Sequence, residues 1–434
     1  MNIKKIIKTV IDKTKGDFAK KSIISITLKL LGLFLSYLFT VLISRIFGAE
    51  ITGRFSLAFT ILNIFAIIFA LGIPDAIVKL SSDSNYKESF NFKKISFRLI
   101  LMSSILGAII LYGLAHPLTL FYKDSSLYDY FVIASMTICP LIILRYNYES
   151  LRGRNKIVKF AILANIVPYF IAILSIFLIQ SLSSNLYGII SMEVYFIGTI
   201  LACLLSFLMA KEPNQPKKEF LSLKRTLHYA LPMLATSSFI FIMGWTDTLM
   251  LGYFNSTKDV GIYNVVIKIA RIAIIMLTSI NLVLAPRISE LYSNSETEKL
   301  KGLIKGVNKI IFISTIPVVF VILVANKFIL GLFGPEFIAG STALVIIIIS
   351  QCFNVMTGSV SQVLNMTGYH RNLRNFTIIS AGLNLILNFI LIPIYGIIGA
   401  AIATGVSSVL LNLMAVIFVK KRLGIITYFN PFSF

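Results

Sequence analysis

The sequence predicts an all-α polytopic membrane protein of about twelve transmembrane helices, and three observations carry that prediction. The first is composition. Of 434 residues, 57% are hydrophobic and 13% are charged, about half the ~25% charge of a soluble globular chain, too little to wet a folded surface of this size. The second is apolar length, since a bilayer span takes about 20 mostly apolar residues and this content suits about twelve such runs. The third is where the cations fall. The 40 Lys and Arg outnumber the 18 Asp and Glu, for a formal net charge of +22. A nucleic-acid binder displays such charge on a polar surface, which this chain lacks, so no nucleic-acid partner is expected.

Apolar runs broken by polar clusters place the spans at 23–47, 53–79, 96–121, 127–149, 157–180, 187–210, 226–251, 260–288, 306–333, 338–366, 376–394 and 397–419. Seven lysines precede the first span, from Lys4 to Lys21. After the even-numbered spans come Lys87, Lys93 and Lys94, then Arg152 and Arg154, Lys211 to Arg225, Lys299 to Lys305, Arg371 and Arg374, and Lys420 to Arg422. The odd-numbered connections offer only Arg54, Lys123, Lys258 and Lys327. Short cytoplasmic loops carry the Lys and Arg excess, so both termini are expected in the cytoplasm. Pro140, Pro168, Pro232, Pro286, Pro317 and Pro393 fall inside runs and predict bends.

Residues 1–21 have no compact apolar core and no small-residue cleavage site, so they do not read as a signal peptide. Ile3, Ile6, Ile7, Val10 and Ile11 recur at helical spacing between lysines, which fits either a solvated basic tail or a short amphipathic helix on anionic lipid.

An internal repeat organises the rest. Tyr187-Gly188-Ile189-Ile190 opens span 6 and Tyr395-Gly396-Ile397-Ile398 opens span 12, while Gly53-Arg54-Phe55 before span 2 is echoed by Gly261-Ile262-Tyr263 before span 8. Both pairs (187 to 395, 53 to 261) are offset by 208 residues. The chain therefore divides into a cytoplasmic segment 1–21, an N-lobe 22–210, a linker 211–225, a C-lobe 226–420 and a cytoplasmic tail 421–434. Six spans per lobe give both the same orientation, so the lobes are parallel repeats with a substrate site expected between them, in a central cavity.

Charge inside the membrane is costly and points to function. Span 1 carries Lys29 on a stripe with Ser25, Gly32 and Ser36. Span 8 carries Lys268 and Arg271 at i and i+3, with Asn264 and Thr278 on the same side, and two cations on one face call for an anion. Asp247 in span 7 and Glu193 in span 6 are candidate partners. Either Asp247 pairs with Lys268 or Arg271 and locks two helices together, or the cations meet an anionic substrate while Asp247 sets their field or takes part in ion coupling. Gln351 and Asn354 in span 10, and Ser380, Asn384 and Asn388 in span 11, form neutral polar stripes. These either cement helices or line a wet cavity and bond sugar hydroxyls. Arg145 with Glu149 and Arg287 with Glu290 read as interfacial salt bridges. Asp75, after Gly72-Ile73-Pro74, marks the exit of span 2.

Catalytic constellations are absent. His116, His228 and His370 are scattered, Cys139, Cys203 and Cys352 lie singly in apolar runs, and no P-loop, metal-ligand cluster or nucleophile elbow occurs. No cofactor and no enzyme activity are expected. Uphill transport would then draw on a Na+ or H+ gradient or on consumption of the product.

Several segments together resemble one family. They are Gly48-Ala49-Glu50 with Gly53-Arg54-Phe55, Asp247-Thr248-Leu249-Met250-Leu251-Gly252, Gly261-Ile262-Tyr263-Asn264, Pro286-Arg287-Ile288-Ser289, and Ile392-Pro393-Ile394-Tyr395-Gly396-Ile397-Ile398-Gly399-Ala400-Ala401. They are similar to the polysaccharide and O-antigen flippases of the multidrug/oligosaccharidyl-lipid/polysaccharide exporter superfamily. The resemblance spans the whole chain and is most specific from about 226 to 420. It implies a MATE-like fold, alternating access, and transfer of an undecaprenyl-diphosphate-linked oligosaccharide across the bacterial cytoplasmic (inner) membrane. A polysaccharide polymerase and a chain-length regulator are the further partners it implies. The family's cationic cavity maps onto Lys268 and Arg271, with Lys29 on the other lobe. A drug/cation antiporter of the same superfamily would be expected to use acids on first-lobe helices, where span 1 has Lys29 and no acid. A lipid II flippase usually carries extra C-terminal spans. An O-unit polymerase or ligase needs an outer loop longer than any here.

Overall fold

The computed structural model describes residues 16–82, 90–182, 186–210, 234 and 244–428. The described residues are helical, joined by turns. The linker 211–225, the tail from 429, most of the amino-terminal segment 1–21, His228, Pro232 and most of span 7 lie outside them. The chain clusters into two compact units: unit 1 comprises residues 1–43 and 57–245, and unit 2 comprises 44–56 and 246–434.

Unit 1 contains most of α1 (Gly16–Phe69), then α2 (Ile73–Ser82), α3 (Phe90–Tyr122), α4 (Leu127–Gly153), α5 (Ile157–Leu182) and α6 (Ile190–Ala210). Spans 1 and 2 are two helices that follow each other directly across a kink at Gly48, whose φ of 81° lies in a region that only glycine enters freely. The apolar part of α1 is 43 residues long, about twice what a bilayer needs. Inside α5, residues Ile162–Ile166 form a π-turn directly before Val167 and Pro168. Pro168 has no N–H to return to the preceding turn, and a π-turn is where a helix absorbs such a gap.

Unit 2 contains α7 (Thr246–Phe254), α8 (Thr257–Ala273), α9 (Ile275–Ser293), α10 (Thr297–Val324), α11 (Asn326–Gly331), a 3-10 turn Pro335–Gly340, α12 (Ser341–Thr357), α13 (Val360–Met366), α14 (His370–Tyr395) and α15 (Ile397–Leu423). Nine helices among the described residues are long and apolar enough to cross a bilayer, and the pair α8 and α9, bent by 53°, makes a tenth. Taking the two arms of α1 separately brings the described residues to eleven spans, and the twelfth expected span is the one described mainly from Thr246 onward.

Four of the prolines do not interrupt their helices. Pro140, Pro286, Pro317 and Pro393 lie inside continuous helices. Within the expected spans the described interruptions fall at Gly48, at Leu71 and Gly72 between α1 and α2, at Ile274 between α8 and α9, at Ala325 between α10 and α11, and at Gly358 between α12 and α13. Lipid supplies no hydrogen bonds, so a proline survives where neighbours meet the freed carbonyl, whereas a glycine at positive φ ends the helix outright.

Helices in lipid associate through close packing and polar bonds rather than through the hydrophobic effect. Asn147 donates to Ser206 at 2.7 Å between α4 and α6, and Ser96 bonds Tyr146 at 2.9 Å between α3 and α4. In unit 2, Ser380 of α14 donates to the Ser407 carbonyl of α15. The closest approach joins the repeated segments. A Cβ on Gly53 would overlap the Thr257 carbonyl, and a Cβ on Gly261 would overlap the Ala49 carbonyl. Ala49 and Gly53 stand at the same 208-residue offset from Thr257 and Gly261, so the contact is symmetric about the internal repeat. Arg45 Nε donates to the Leu332 carbonyl at 2.7 Å, and the Ala49 N–H donates to Glu336 at 3.0 Å, which ties residues 44–56 further into unit 2.

Candidate functional site

Asp247 lies in the first turn of α7, and its carboxylate is the centre of a polar cluster drawn from four helices. Tyr263 of α8 donates its hydroxyl to Oδ2 at 2.7 Å, Thr404 of α15 donates to the same oxygen, and Asn388 of α14 donates to Oδ1 at 2.5 Å. Asn388 uses its second N–H on Asn384 Oδ1 at 3.0 Å, and Asn384 donates to Thr404 Oγ1 at 3.4 Å. The residues reach one another because the stripe Ser380, Asn384, Asn388 follows the i, i+4 face of α14 that packs on α15.

All three donors to Asp247 are neutral. The half-buried carboxylate is thus met by hydrogen bonds from neutral groups and not by an ion pair. The acceptor side is less complete: Asn388 is fully buried and its Oδ1 has no hydrogen-bond partner among the described residues. Oxygens outnumber cations here, which suits a small hard cation or a proton.

Lys268 and Arg271 lie on α8, half-buried and exposed respectively. The expected alternative in which Asp247 pairs with one of them is not what the structure holds, since its oxygens go to Tyr263, Thr404 and Asn388. Arg271 stands in the last turn of α8, where the 53° bend into α9 ends the helix. Unpaired carbonyls at a helix C-terminus favour a cation there. Arg271 has no ion pair among the described residues.

The remaining candidates are dispersed. Lys29 is exposed on α1 in unit 1, one turn before Gly32, which lies against the Asn165 backbone at the π-turn of α5. Gln351 and Asn354 bond each other at 3.2 Å on α12 and are not among the partners of Asp247. Glu193 sits half-buried in the first turn of α6. Of the two expected salt bridges, Arg287 meets Glu290 at 2.6 Å, whereas Glu149 pairs with Arg152 at 2.8 Å and Arg145 faces Asp75 at 3.9 Å. Tyr263 and Thr404 join the cluster although neither is a site candidate in the sequence, where Tyr263 enters only through the repeat and the family-like segment. Among the described residues no group of three or more His, Cys, Asp or Glu side chains is placed to hold a metal ion.

Comparison with known proteins adds the following. The family model described as polysaccharide biosynthesis protein matches residues 18–292, and the MatE model matches residues 232–390. The chain is 27% identical over 399 residues to the probable low-salt glycan biosynthesis flippase Agl15 of Haloferax volcanii, covering 90% of this chain and 81% of that protein. Among solved structures, an inward-facing multidrug resistance MATE family transporter aligns with a TM-score of 0.71 at 13% identity, over 93% of this chain and 98% of the other. The lipid II flippase MurJ in an inward closed conformation aligns with a TM-score of 0.69 at 18% identity, over 93% and 87%. These likenesses establish a MATE-like fold.

Proposed function

The chain belongs to the polysaccharide biosynthesis protein family, whose model matches residues 18–292, and from that premise we propose that it is a flippase moving a polyprenyl-diphosphate-linked oligosaccharide across its membrane by alternating access. In a bacterium that carrier is undecaprenyl diphosphate and the membrane the cytoplasmic (inner) one. The Agl15 relative is archaeal and is described as a glycan biosynthesis flippase, which supports a glycan cargo and leaves the carrier a polyprenyl diphosphate by proposal. Both termini are proposed to be cytoplasmic, and the lobes to run 22–210 and 226–420.

The observation that carries the proposal is Arg271 with Lys268 on α8, while Asp247 spends its oxygens on neutral donors. A diphosphate brings charge that membrane interiors exclude, and a guanidinium fork meets phosphate oxygens bidentately. Lys268 adds a point charge one turn away, and Lys29 is the proposed cation of the first lobe. Asp247 with Asn384, Asn388 and Thr404 is the proposed coupling position. A proton or Na+ reaching that carboxylate would find further oxygens in Asn388 Oδ1 and Thr404 Oγ1, and would release or draw the α8 and α14 donors. Gln351 and Asn354 remain candidates for bonding sugar hydroxyls.

Deletion of the gene tests the function. Lipid-linked repeat units should accumulate on the cytoplasmic face, and wild-type protein should clear them. Unchanged surface polysaccharide in a deletion strain lacking a second flippase would count against the proposal.

A further inference from the structure

Unit 1 contains a run of aromatic rings that the proposed function leaves unused. Phe39 and Tyr169 have centroids 5.9 Å apart, Tyr169 and Tyr195 6.2 Å, Tyr195 and Phe59 5.3 Å, and Phe59 and Trp245 6.2 Å. The run starts in the core, with Phe39 and Tyr195 buried, and reaches the surface of the unit at Phe59 and Trp245, both half-buried. Trp245 is the only tryptophan in the chain. Membrane tryptophans concentrate in the interfacial belt. This one precedes the nine-residue α7, which puts it roughly 13 Å of helical rise from the end of that helix.

An amide accompanies the rings. Asn63 is one turn beyond Phe59 on the same face of α1 and is half-buried. Among the described residues its hydrogen bond runs from Nδ2 to the Phe59 carbonyl at 2.7 Å. That leaves Oδ1 and the second N–H for another group, and an amide met only in part is costly inside a membrane.

Two half-buried rings with an amide one turn from Phe59 match one ligand chemistry. The C–H bonds on the flat face of a pyranose carry slight positive charge and settle on the negative face of a ring. Hydroxyls at the sugar's rim both donate to and accept from an amide. A lipid tail would use the rings and leave Asn63 unmet, and a diphosphate would be repelled by the ring faces. We propose that Trp245, Phe59 and Asn63 form a sugar-binding face for the carried glycan. This rests on the flippase reading and assigns glycan recognition to unit 1, apart from the headgroup cations of α8.

The single tryptophan is its own reporter. The full chain is placed in nanodiscs of phosphatidylcholine and phosphatidylglycerol and titrated with undecaprenyl-diphosphate-N-acetylglucosamine or with bare undecaprenyl diphosphate. Binding of each radiolabelled lipid is measured in parallel. Only the glycosylated lipid should shift Trp245 emission. Asn63→Ala should weaken the glycosylated lipid about fivefold, the worth of one neutral hydrogen bond, and leave the bare lipid unchanged. Trp245→Leu should act in the same direction in the radiolabel assay, with Trp245→Phe retaining more affinity. Equal emission responses to both lipids would overturn the proposal. So would silent emission while the glycosylated lipid binds, or an Asn63→Ala variant that loses both lipids equally. Those three results leave the flippase reading standing, whereas binding of neither lipid removes that reading and this proposal with it.

Discussion

Asp247 is held by Tyr263, Thr404 and Asn388, and each bond to a charged group is worth about 1.5–3 kcal/mol. Asp247→Asn turns one acceptor into a donor facing donors, so translocation should fall about ten- to a hundredfold while the protein still elutes as a folded species. Thr404→Val keeps the volume, removes the bond to Asp247 together with the acceptor of Asn384, and should lie between that variant and wild type in the same transport assay. Arg271→Glu should abolish complementation of a deletion strain at unchanged protein level, because the exposed guanidinium has no ion pair among the described residues to lose. Reduced abundance instead would assign Arg271 a structural role. The stripe Asn384 and Asn388 was legible in the sequence because amides at i and i+4 in an apolar run have few explanations. Thr404 and Tyr263 were not, since hydroxyls are common in such helices and the Thr404 bond joins residues 157 positions apart.

At the scale of elements, spans were readable because lipid demands long apolar runs, but the joints inside them were not. Prolines marked expected bends, and Pro140, Pro286, Pro317 and Pro393 lie inside helices that continue through them without a break. Gly358, at φ 66°, ends α12 instead. Its role depends on backbone angle, which no composition reports. The repeat, in contrast, could be read from two short matches, and its glycines Gly53 and Gly261 turn out to face each other's helices. Small residues at a crossing allow the backbones into contact, with Cα–H to carbonyl contacts of about 0.5–1 kcal/mol each. Gly261→Leu should therefore lower the yield of monodisperse protein on size exclusion. Gly302→Ala on α10, where an added Cβ meets nothing within 4 Å, should be neutral or stabilise by up to about 1 kcal/mol.

For the whole molecule, the charge of +22 on a chain 57% hydrophobic resolves into two roles. Most cations are expected in alternate loops, where they would set topology, and a few within helices are the ones proposed to meet an anion. Orientation is checked with single cysteines in a background lacking Cys139, Cys203 and Cys352. Ser125→Cys and Asn255→Cys should react with an impermeant maleimide added outside intact cells, and Asn155→Cys and Asn294→Cys only after permeabilisation. Fold class and family were within reach of the sequence because both depend on pattern over the whole length. The glycan was not, because recognition of a sugar is built from side chains of several helices. The most direct test reconstitutes the purified protein in liposomes carrying radiolabelled undecaprenyl-diphosphate-N-acetylglucosamine in both leaflets, with an impermeant pyrophosphatase outside. With wild-type protein nearly all the lipid should become cleavable, and with Arg271→Glu only the outer half. A cleavable fraction that stays at one half with wild-type protein, as in protein-free liposomes, would contradict the account.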